Sequence, residues 1–406
     1  MQALIDSLIA NCSSLQALPA SVIYAAVQAL VAVLMFAGFF APLAAILVFV
    51  ERRVAGRMQS RVGPNRVGPQ GILQSVADGI KLLLKEDIIP DLADKLLFRL
   101  APYLVFSGAF LAFVVIPFSS KVVVADFDVS IFYLLAVESL VVVGVVMSGW
   151  ASNNKWSLLG GMRAAAQIIS YEVPVSMTVL MVVLVTGSMS VQGIIGAQGA
   201  WPWEWMIFKS PFTFVAFFIL FIGSLAEGNR TPFDIPEAES ELVSGYNTEY
   251  SGFRFSIFFL AEYANLYLIG SLATILFLGG WQVSPQLINA LGLQGSWLKQ
   301  VLEFLTYFSK VATLIFVVIQ LRWTLPRVRI DQLMSLCWKY LVPACFINLL
   351  AMSLWVIVMQ NVSAIVPLVI SVVMAMLGFS AFGYFFMRVK YHLDYAKAEL
   401  TFNPLS

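Results

Sequence analysis

The chain has very few of the side chains that hold metals and redox groups. It contains one histidine, His392, and three cysteines that form no CxxC pair, Cys12, Cys337 and Cys345. A haem held by two histidines is therefore excluded, and a zinc or iron–sulfur site within this chain is not expected. The sequence also lacks a Walker A motif and a GxGxxG dinucleotide fingerprint. If the protein takes part in redox chemistry, another molecule must carry the electrons.

Charged residues are scarce as well. They make up 12% of the 406 residues, whereas 60% are hydrophobic and the mean hydropathy is +0.87. A soluble domain carries about 25% charged residues, and a chain this apolar would not keep its surface in water. The composition therefore predicts a polytopic membrane protein. The net charge of +1 provides no basic field for nucleic acid.

Long apolar runs predict an all-α protein with about nine transmembrane helices. A crossing needs about 20 apolar residues, and the first run carries Gly38 and Pro42, so it is expected to tilt or bend. The predicted spans are 22–50, 98–118, 131–150, 163–187, 211–227, 255–280, 303–323, 336–359 and 363–387. We therefore divide the chain into a leader at 1–21, a core membrane domain at 22–360, and a C-terminal region at 361–406 with one extra helix and a tail.

The basic residues predict the orientation of these spans. With the N-terminus outside, 20 of the 24 Lys and Arg residues fall on one side of the membrane, and the positive-inside rule makes that side cytoplasmic. The leader carries Asp6 but no Lys or Arg, so it is not a typical secretory signal peptide. We expect a multi-pass protein of a bacterial plasma membrane, with the leader outside and residues 227–252 in the cytoplasm.

Residues 70–86 do not form a span. Their apolar side chains recur at helical spacing on one face and their polar side chains lie on the other, which predicts an amphipathic helix at the cytoplasmic interface. This helix either anchors the chain or has a functional role. Before it, the segment RVGPNRVGP at 61–69 repeats an Arg-Val-Gly-Pro unit and predicts defined turns. A rigid connector is favoured there over a phosphate-binding nest.

Four glutamates fall within or at the end of predicted spans, namely Glu138, Glu172, Glu227 and Glu262. Ionisable groups at membrane depth are costly and usually face protein or a water-filled interior. Each glutamate is either a structural hydrogen-bond partner between helices or part of a hydrated polar path, and their presence in four different helices favours the path. Arg163 and Glu172 are expected to line one cavity without pairing directly.

The segment EGNRTPFDIPEAESELVSGYNTEYSG at 227–252 gathers six of the 23 acidic residues of the chain. A run of like charge is usually solvated, but Pro232, Pro236 and Phe233 favour a packed loop. We therefore expect a buried or cavity-lining acidic cluster with coupled titrations. The acidic residues of this loop are Glu227, Asp234, Glu237, Glu239, Glu241 and Glu249.

Three long motifs occur in order along the chain: ERRVAGRMQSRVGPNRVGPQG from Glu51, NNKWSLLGGMRAAAQIISYEVP from Asn153, and the acidic segment from Glu227. With these motifs the chain resembles the H subunit of the respiratory NADH–quinone oxidoreductase, complex I, over roughly residues 22–360. The mitochondrial counterpart is NADH dehydrogenase subunit one. The resemblance implies a membrane subunit that forms the quinone chamber and its entrance. Quinone would enter between the first span and the amphipathic helix, and buried carboxylates would couple its reduction to proton translocation.

The resemblance also implies site residues, but no catalytic residue and no metal ligand in this chain. The quinone chamber would include Glu51, Arg52, Arg53, Asp78, Arg163 and Asp234. The proton-coupling residues would be Glu138, Glu172, Glu227, Glu237, Glu239, Glu241, Glu249 and Glu262. Taken alone, the run from Glu51 to Arg53 could equally be an ordinary anchor at the end of a span.

By the same resemblance, the chain binds no cofactor. Quinone is the substrate, and FMN and iron–sulfur clusters belong to partner subunits. The implied partners are the peripheral-arm subunits at the quinone site, the small membrane subunits of the heel, and membrane lipid. The enzyme would be the assembled proton-translocating complex and not this chain alone. Residues 1–20 and the span at 363–387 depart from the family pattern.

Three other interpretations stay open on the sequence. The same scaffold occurs, with a weaker version of the motifs, in the membrane subunit of certain hydrogenases, which would use no quinone. A self-sufficient ion or solute transporter would move charge without partners. A purely structural anchor would tolerate neutralisation of Glu172 or Asp78.

Overall fold

The structure, a computed structural model, describes residues 41–360 apart from 237–238, 291 and 293–296, together with scattered helical residues on either side of that range. The described residues form helices and connecting turns, with no β-strand among them. The predicted fold class, an all-α polytopic membrane protein, is confirmed. The leader at 1–21 and the tail beyond residue 391 lie outside the described residues.

The longer helices between residues 41 and 360 are labelled α1 to α9. They are α1 Ala41–Met58, α2 Gln74–Leu84, α3 Lys95–Ala112, α4 Ser130–Ala151, α5 Lys155–Thr186, α6 Pro211–Glu227, α7 Gly252–Phe277, α8 Trp297–Thr324 and α9 Ile330–Met359. Shorter helical turns lie at Pro69–Gly71, Phe113–Val115, Val191–Gly196, Pro202–Glu204, Met206–Lys209, Glu239–Leu242, Gly245–Asn247 and Pro285–Ala290. Within α9, Leu336–Leu341 is a π-helical segment.

Seven of the predicted spans coincide with described helices. Helices α3, α4, α5, α7, α8 and α9 are long and apolar enough to cross a membrane, and α6 is apolar but shorter. The first predicted span lies mostly outside the described residues, and α1 continues past its predicted end to Met58. The span predicted at 363–387 is only partly described, and an apolar helix occupies Val369–Gly378 within it.

The predicted amphipathic helix is confirmed as α2. None of its residues is buried, and the apolar side chains Val76, Ile80 and Leu83 are each more than half exposed. An exposed apolar face of this kind suits a helix that lies on a membrane surface. The connector before α2 folds back on the end of α1, where the Arg61 amide donates to the Gly56 carbonyl at 2.8 Å.

Helix α7 lies at the centre of the bundle and contacts α1, α2, α3, α6 and α8. Among the described helices that are long enough to span, it is the most deeply buried. Around it, small residues let helices approach closely, as is usual in membranes. At the crossing of α3 and α4, for example, a Cβ atom on Gly144 would lie 2.5 Å from Cγ2 of Val105. Because α7 is central, its polar residues lie next to α1, α8 and the end of α6.

Candidate functional site

A buried charge cluster lies where α1, α7, α8 and the residues after α6 meet. Arg230 is 2% exposed; its Nη1 lies 3.4 Å from Oε2 of Glu51 and its Nη2 lies 3.2 Å from Oε1 of Glu262. Arg322 pairs with Oε1 of Glu51, and the Tyr263 hydroxyl donates to Oε2 of Glu51 at 2.8 Å. Two carboxylates thus face two guanidinium groups, which is the pairing that burial of charge requires.

Arg230 reaches this cluster because the chain turns sharply at the end of α6. Its amide donates to the Leu225 carbonyl at 3.2 Å, and its guanidinium lies over the ring of Tyr263 at 4.7 Å. Burial alone lowers the pKa of Arg230, but Glu262 and Glu51 more than offset that effect and raise the pKa above its usual value. The guanidinium therefore stays charged. The sequence signal for Arg230 was its place as the single basic residue of the acidic segment, but no role was predicted for it or for Arg322.

A cavity of about 320 Å³ lies between α1, α2 and α7. Its walls are mostly apolar, and Arg52 pairs across it with Asp78 of α2. The hydroxyl of Ser75 donates to the Ala45 carbonyl at 2.8 Å and ties α2 to α1. Tyr263 also lines this cavity, so one side chain belongs both to the cavity wall and to the charge cluster around Glu51.

A second, smaller cavity collects three of the predicted membrane carboxylates. Glu138 of α4, Glu172 of α5 and Glu227 of α6 line a space of about 40 Å³ together with Ser224 and Asn265. This volume is enough for ordered water. Within the described part of the chain, no Lys or Arg forms an ion pair with any of these three carboxylates. The cavity is therefore a mostly apolar space inside the helix bundle into which three carboxyl groups face.

Arg163 does not line this cavity. It pairs instead with Glu241 at 2.6 Å, so the expectation that Arg163 and Glu172 share a cavity is wrong. The physical reason is that α5 is long: Arg163 is nine residues before Glu172 and faces the acidic loop, whereas Glu172 lies deeper in the bundle. Glu262 also separates from the other membrane carboxylates, because Arg230 holds it in the charge cluster.

The loop between α6 and α7 is packed, as predicted. Phe233, Leu242 and Tyr246 are buried, and the ring of Tyr250 stacks on Phe98 with a centroid distance of 4.0 Å. The Tyr250 hydroxyl donates to the Phe98 carbonyl at 3.2 Å, and burial raises the pKa of this phenol above its usual value. These contacts hold the loop on the end of α3.

Helix α5 meets the same loop backbone to backbone. A Cβ atom on Gly160 would lie 2.6 Å from the Cα atom of Gly245, and the Ser157 hydroxyl donates to the Tyr246 carbonyl at 3.2 Å. Further along α5, the Gln167 amide donates at 2.7 Å to each of two carbonyls, at the end of α6 and inside the loop. The position of the loop is therefore set by buried contacts with α5.

The acidic side chains that the structure describes in this loop beyond Glu227 do not gather into one cluster. Besides Glu241, which is exposed, Asp234 pairs with Arg327 at 3.0 Å and Glu249 accepts a hydrogen bond from Asn154 at 2.5 Å. The expectation of a single buried or cavity-lining acidic cluster is thus wrong for these residues, because each has its own partner on another element. Glu237 lies outside the described residues, and only the backbone of Glu239 is described.

Comparison with known proteins decides the family. A family model described as NADH dehydrogenase matches residues 30–353. The H subunit of the NADH-quinone oxidoreductase of Anaeromyxobacter dehalogenans is 52% identical over 345 residues, which are 83% of this chain and 84% of that protein.

The chain belongs to the NADH dehydrogenase family.

Two further relatives carry the same name. The H subunit of Chlorobaculum tepidum is 47% identical over 313 residues, 76% of this chain and 87% of the relative. The H subunit of Brevibacillus brevis is 49% identical over 304 residues, 75% of this chain and 85% of the relative.

In this member of the NADH dehydrogenase family, the residues assigned to a quinone chamber are only partly brought together. Arg52 and Asp78 line the cavity between α1, α2 and α7, and Glu51 adjoins it through Tyr263. Arg53 lies 3.4 Å from the side-chain oxygen of Gln70. Arg163 and Asp234 take part in the ion pairs of the loop instead. Among the residues that the structure describes, no group of three His, Cys, Asp or Glu is placed to hold a metal ion.

Proposed function

We propose that this chain is the quinone-binding membrane subunit of a proton-translocating NADH–quinone oxidoreductase and that it couples quinone reduction to proton movement. The observation that carries the proposal is the double position of Tyr263, which lines the cavity of about 320 Å³ and donates a hydrogen bond to buried Glu51. Partner subunits of the complex supply FMN and the iron–sulfur clusters. The distribution of Lys and Arg supports a cytoplasmic position for the loop.

The cavity between α1, α2 and α7 has the properties that a quinone needs. A ligand pocket is typically about 300–1,000 Å³, mostly apolar, with a few polar groups that fix orientation. Here apolar side chains make most of the wall, and Arg52 and Lys81 are the cationic donors. A quinone ring is flat and apolar, and its two carbonyl oxygens accept hydrogen bonds from groups of this kind. The exposed apolar face of α2 supports a position of the cavity beside the membrane.

Reduction of a quinone in this cavity acts on the charge cluster by electrostatics. Two electrons bring negative charge that two protons must neutralise. At an effective dielectric constant of about 20, a unit charge about 8 Å away changes the energy of a carboxylate by about 2 kcal/mol. That is several times the thermal energy, so the charge on the quinone changes the electrostatic balance between the carboxylates and guanidinium groups of the cluster.

The charge cluster is joined to the small acidic cavity by short stretches of chain. Arg230 follows Glu227 by three residues, and Glu262 precedes Asn265 by three residues on α7. We propose that a change in the balance between Arg230 and Glu262 is transmitted to the end of α6 that holds Glu227. The hydration and protonation of Glu138 and Glu172 then change in response. The energy of quinone reduction is in this way passed laterally within the membrane.

Blocking the cavity tests the binding half of the proposal. Ser256→Phe fills the cavity from α7, whereas Val143→Phe adds the same ring on an exposed face of α4. In the assembled complex, we expect Ser256→Phe to lower quinone reduction about tenfold or more while electron transfer to a water-soluble acceptor is kept. Val143→Phe should leave both rates unchanged. Normal quinone reduction by Ser256→Phe would refute the assignment of the cavity.

Neutralising carboxylates tests whether this chain couples quinone reduction to proton movement. We expect Glu172→Gln and Glu227→Gln to lose proton translocation in proteoliposomes, since each removes a titratable group from the acidic cavity. Exposed Glu86 offers a control, and Glu86→Gln should pump normally. For the loop, we test Glu241→Gln and Glu249→Gln, which weaken the contacts with Arg163 and Asn154. Normal quinone reduction and pumping in both loop variants would contradict a coupling role for the loop.

A further inference from the structure

We propose that Arg254 is a positioning residue for the cavity between α1, α2 and α7. With Ser251 and Asp87 it forms a clamp that fastens the chain just after α2 to the start of α7. The proposal rests on the quinone-binding function proposed above. None of the three clamp residues lines the cavity, so they act on a bound quinone only through the position of α2.

Helix α2 depends on such a clamp because apolar packing within this chain does not hold it. None of its residues is buried. Near its first end, the Ser75 hydroxyl donates to the Ala45 carbonyl of α1 at 2.8 Å, and Asp78 pairs with Arg52. A helix tied near one end only can swing at the other, and α2 forms one wall of the cavity. The position of that wall therefore depends on what holds the far end of α2.

The chain after α2 meets the start of α7 at close range. The Ser251 hydroxyl donates to the Glu86 carbonyl at 3.1 Å and accepts from the Ile88 amide at 3.2 Å. A Cβ atom on Gly252 would lie 2.8 Å from the Lys85 carbonyl oxygen, and the φ of Gly252 is +58°, so this approach requires glycine. These contacts fix the segment that directly follows α2.

Arg254 adds a charged link at the same place. Its Nη2 lies 2.9 Å from Oδ2 of Asp87, and its side chain is 13% exposed. The guanidinium also lies over the ring of Phe98 of α3, 5.8 Å from the ring centre. A charge pair with one largely buried partner is screened less than a fully exposed pair. One side chain of α7 thus contacts both α3 and the segment after α2.

The clamp lies directly beyond one end of the cavity. On α2 the cavity wall ends at Leu82, three residues before Lys85. On α7 the wall begins at Phe255, the residue after Arg254, and continues through Phe259. The same two stretches of chain therefore carry the cavity wall and the clamp. Opening of the clamp would let the end of α2 move away from α7 and would loosen the contacts of α2 with a bound quinone.

A plain structural contact is the competing explanation, because many exposed ion pairs contribute nothing measurable to stability. A contact that serves only stability would change assembly or thermal inactivation and would leave the KM for quinone unaltered. A positioning contact raises the KM when it is lost, because only complexes with α2 in place bind quinone tightly. The rate at saturating quinone then stays near its unaltered value, since no group that touches quinone has changed.

The test reverses the charges of the clamp in the whole complex. Asp87→Arg places a second guanidinium beside Arg254, and we expect the KM for quinone to rise about fivefold or more while the maximal rate stays within about twofold. Adding Arg254→Asp restores opposite charges, so the double variant should return the KM to within about twofold of the unaltered value. Asp91→Arg is the matched control, because it makes the same change of charge at an exposed position four residues further on, and it should leave the KM unchanged.

Amide hydrogen exchange of the purified complex, measured without quinone, reports on the clamp itself. The Ile88 amide donates to Ser251, so opening of the clamp frees this amide to exchange. We expect Asp87→Arg to speed exchange at residues 85–88 about tenfold and the double variant to restore slow exchange. Unchanged exchange in Asp87→Arg would show that the ion pair fastens nothing and would overturn the proposal.

An unchanged KM in Asp87→Arg, or a raised KM that Arg254→Asp does not correct, would also overturn it. If the charge-reversed chains do not assemble, Ser251→Ala and Asp87→Asn are the milder variants, and an unchanged KM in both would count against the clamp. Failure of the proposed function looks different, because Ser256→Phe would then reduce quinone normally. Where Ser256→Phe blocks quinone reduction and the clamp variants change nothing, the cavity assignment stands and the clamp falls.

Discussion

Replacing Arg230 with methionine tests whether buried charge balance holds the loop to the membrane helices. The change removes the guanidinium that lies between Glu51 and Glu262. Glu51 keeps Arg322 and Tyr263, so the loss falls mainly on Glu262, whose side chain is 18% exposed. Breaking a buried ion pair from one side costs about 3–5 kcal/mol. Because Glu262 is partly exposed, we expect a loss of stability at the lower end of this range, about 3 kcal/mol. This corresponds to a change on the order of 100-fold in the folding equilibrium constant.

Thermal inactivation of the purified complex measures this loss. Arg230→Lys keeps the charge but not the planar fork that spans both carboxylates, so we expect an intermediate loss. Combining Arg230→Met with Glu262→Gln removes the carboxylate left without a cation, and we expect it to recover much of the stability. A complex with Arg230→Met that is as stable and active as the unaltered one would refute the reasoning. So would a double variant less stable than Arg230→Met alone.

Two further predictions concern the loop and the cavity. Gly160→Ala places a Cβ atom 2.6 Å from Gly245 and should destabilise the complex by about 1–3 kcal/mol in the same inactivation assay, whereas Gly196→Ala enters open space and should change little. Asp78→Asn weakens a partly exposed ion pair with Arg52, so we expect a stability loss below about 1 kcal/mol but a higher apparent KM for quinone. An unchanged KM in both Asp78→Asn and Arg52→Gln would contradict a role of this pair in quinone binding.

The helices could be predicted from the sequence because the bilayer constrains them strongly. In lipid each backbone polar group must be satisfied within its own segment, so an apolar run of sufficient length becomes a helix. The amphipathic pattern of 70–86 similarly predicted α2, because a single apolar face can only lie along an interface. The packed loop was signalled by Phe233 and the prolines around it. The motifs beginning at Glu51, Asn153 and Glu227 indicated the family.

Which charges meet was decided by the tertiary structure alone. Arg230 and Glu51 are 179 residues apart in the sequence, and they meet because α7 brings α1 and the end of α6 to one point. Glu262 joined Arg230 rather than the acidic cavity, and Arg163 joined Glu241 rather than Glu172. Helical periodicity gives the face on which a side chain lies, but not the neighbour that the face meets. That neighbour depends on helix crossings and on side-chain reach, which exist only once the bundle is packed.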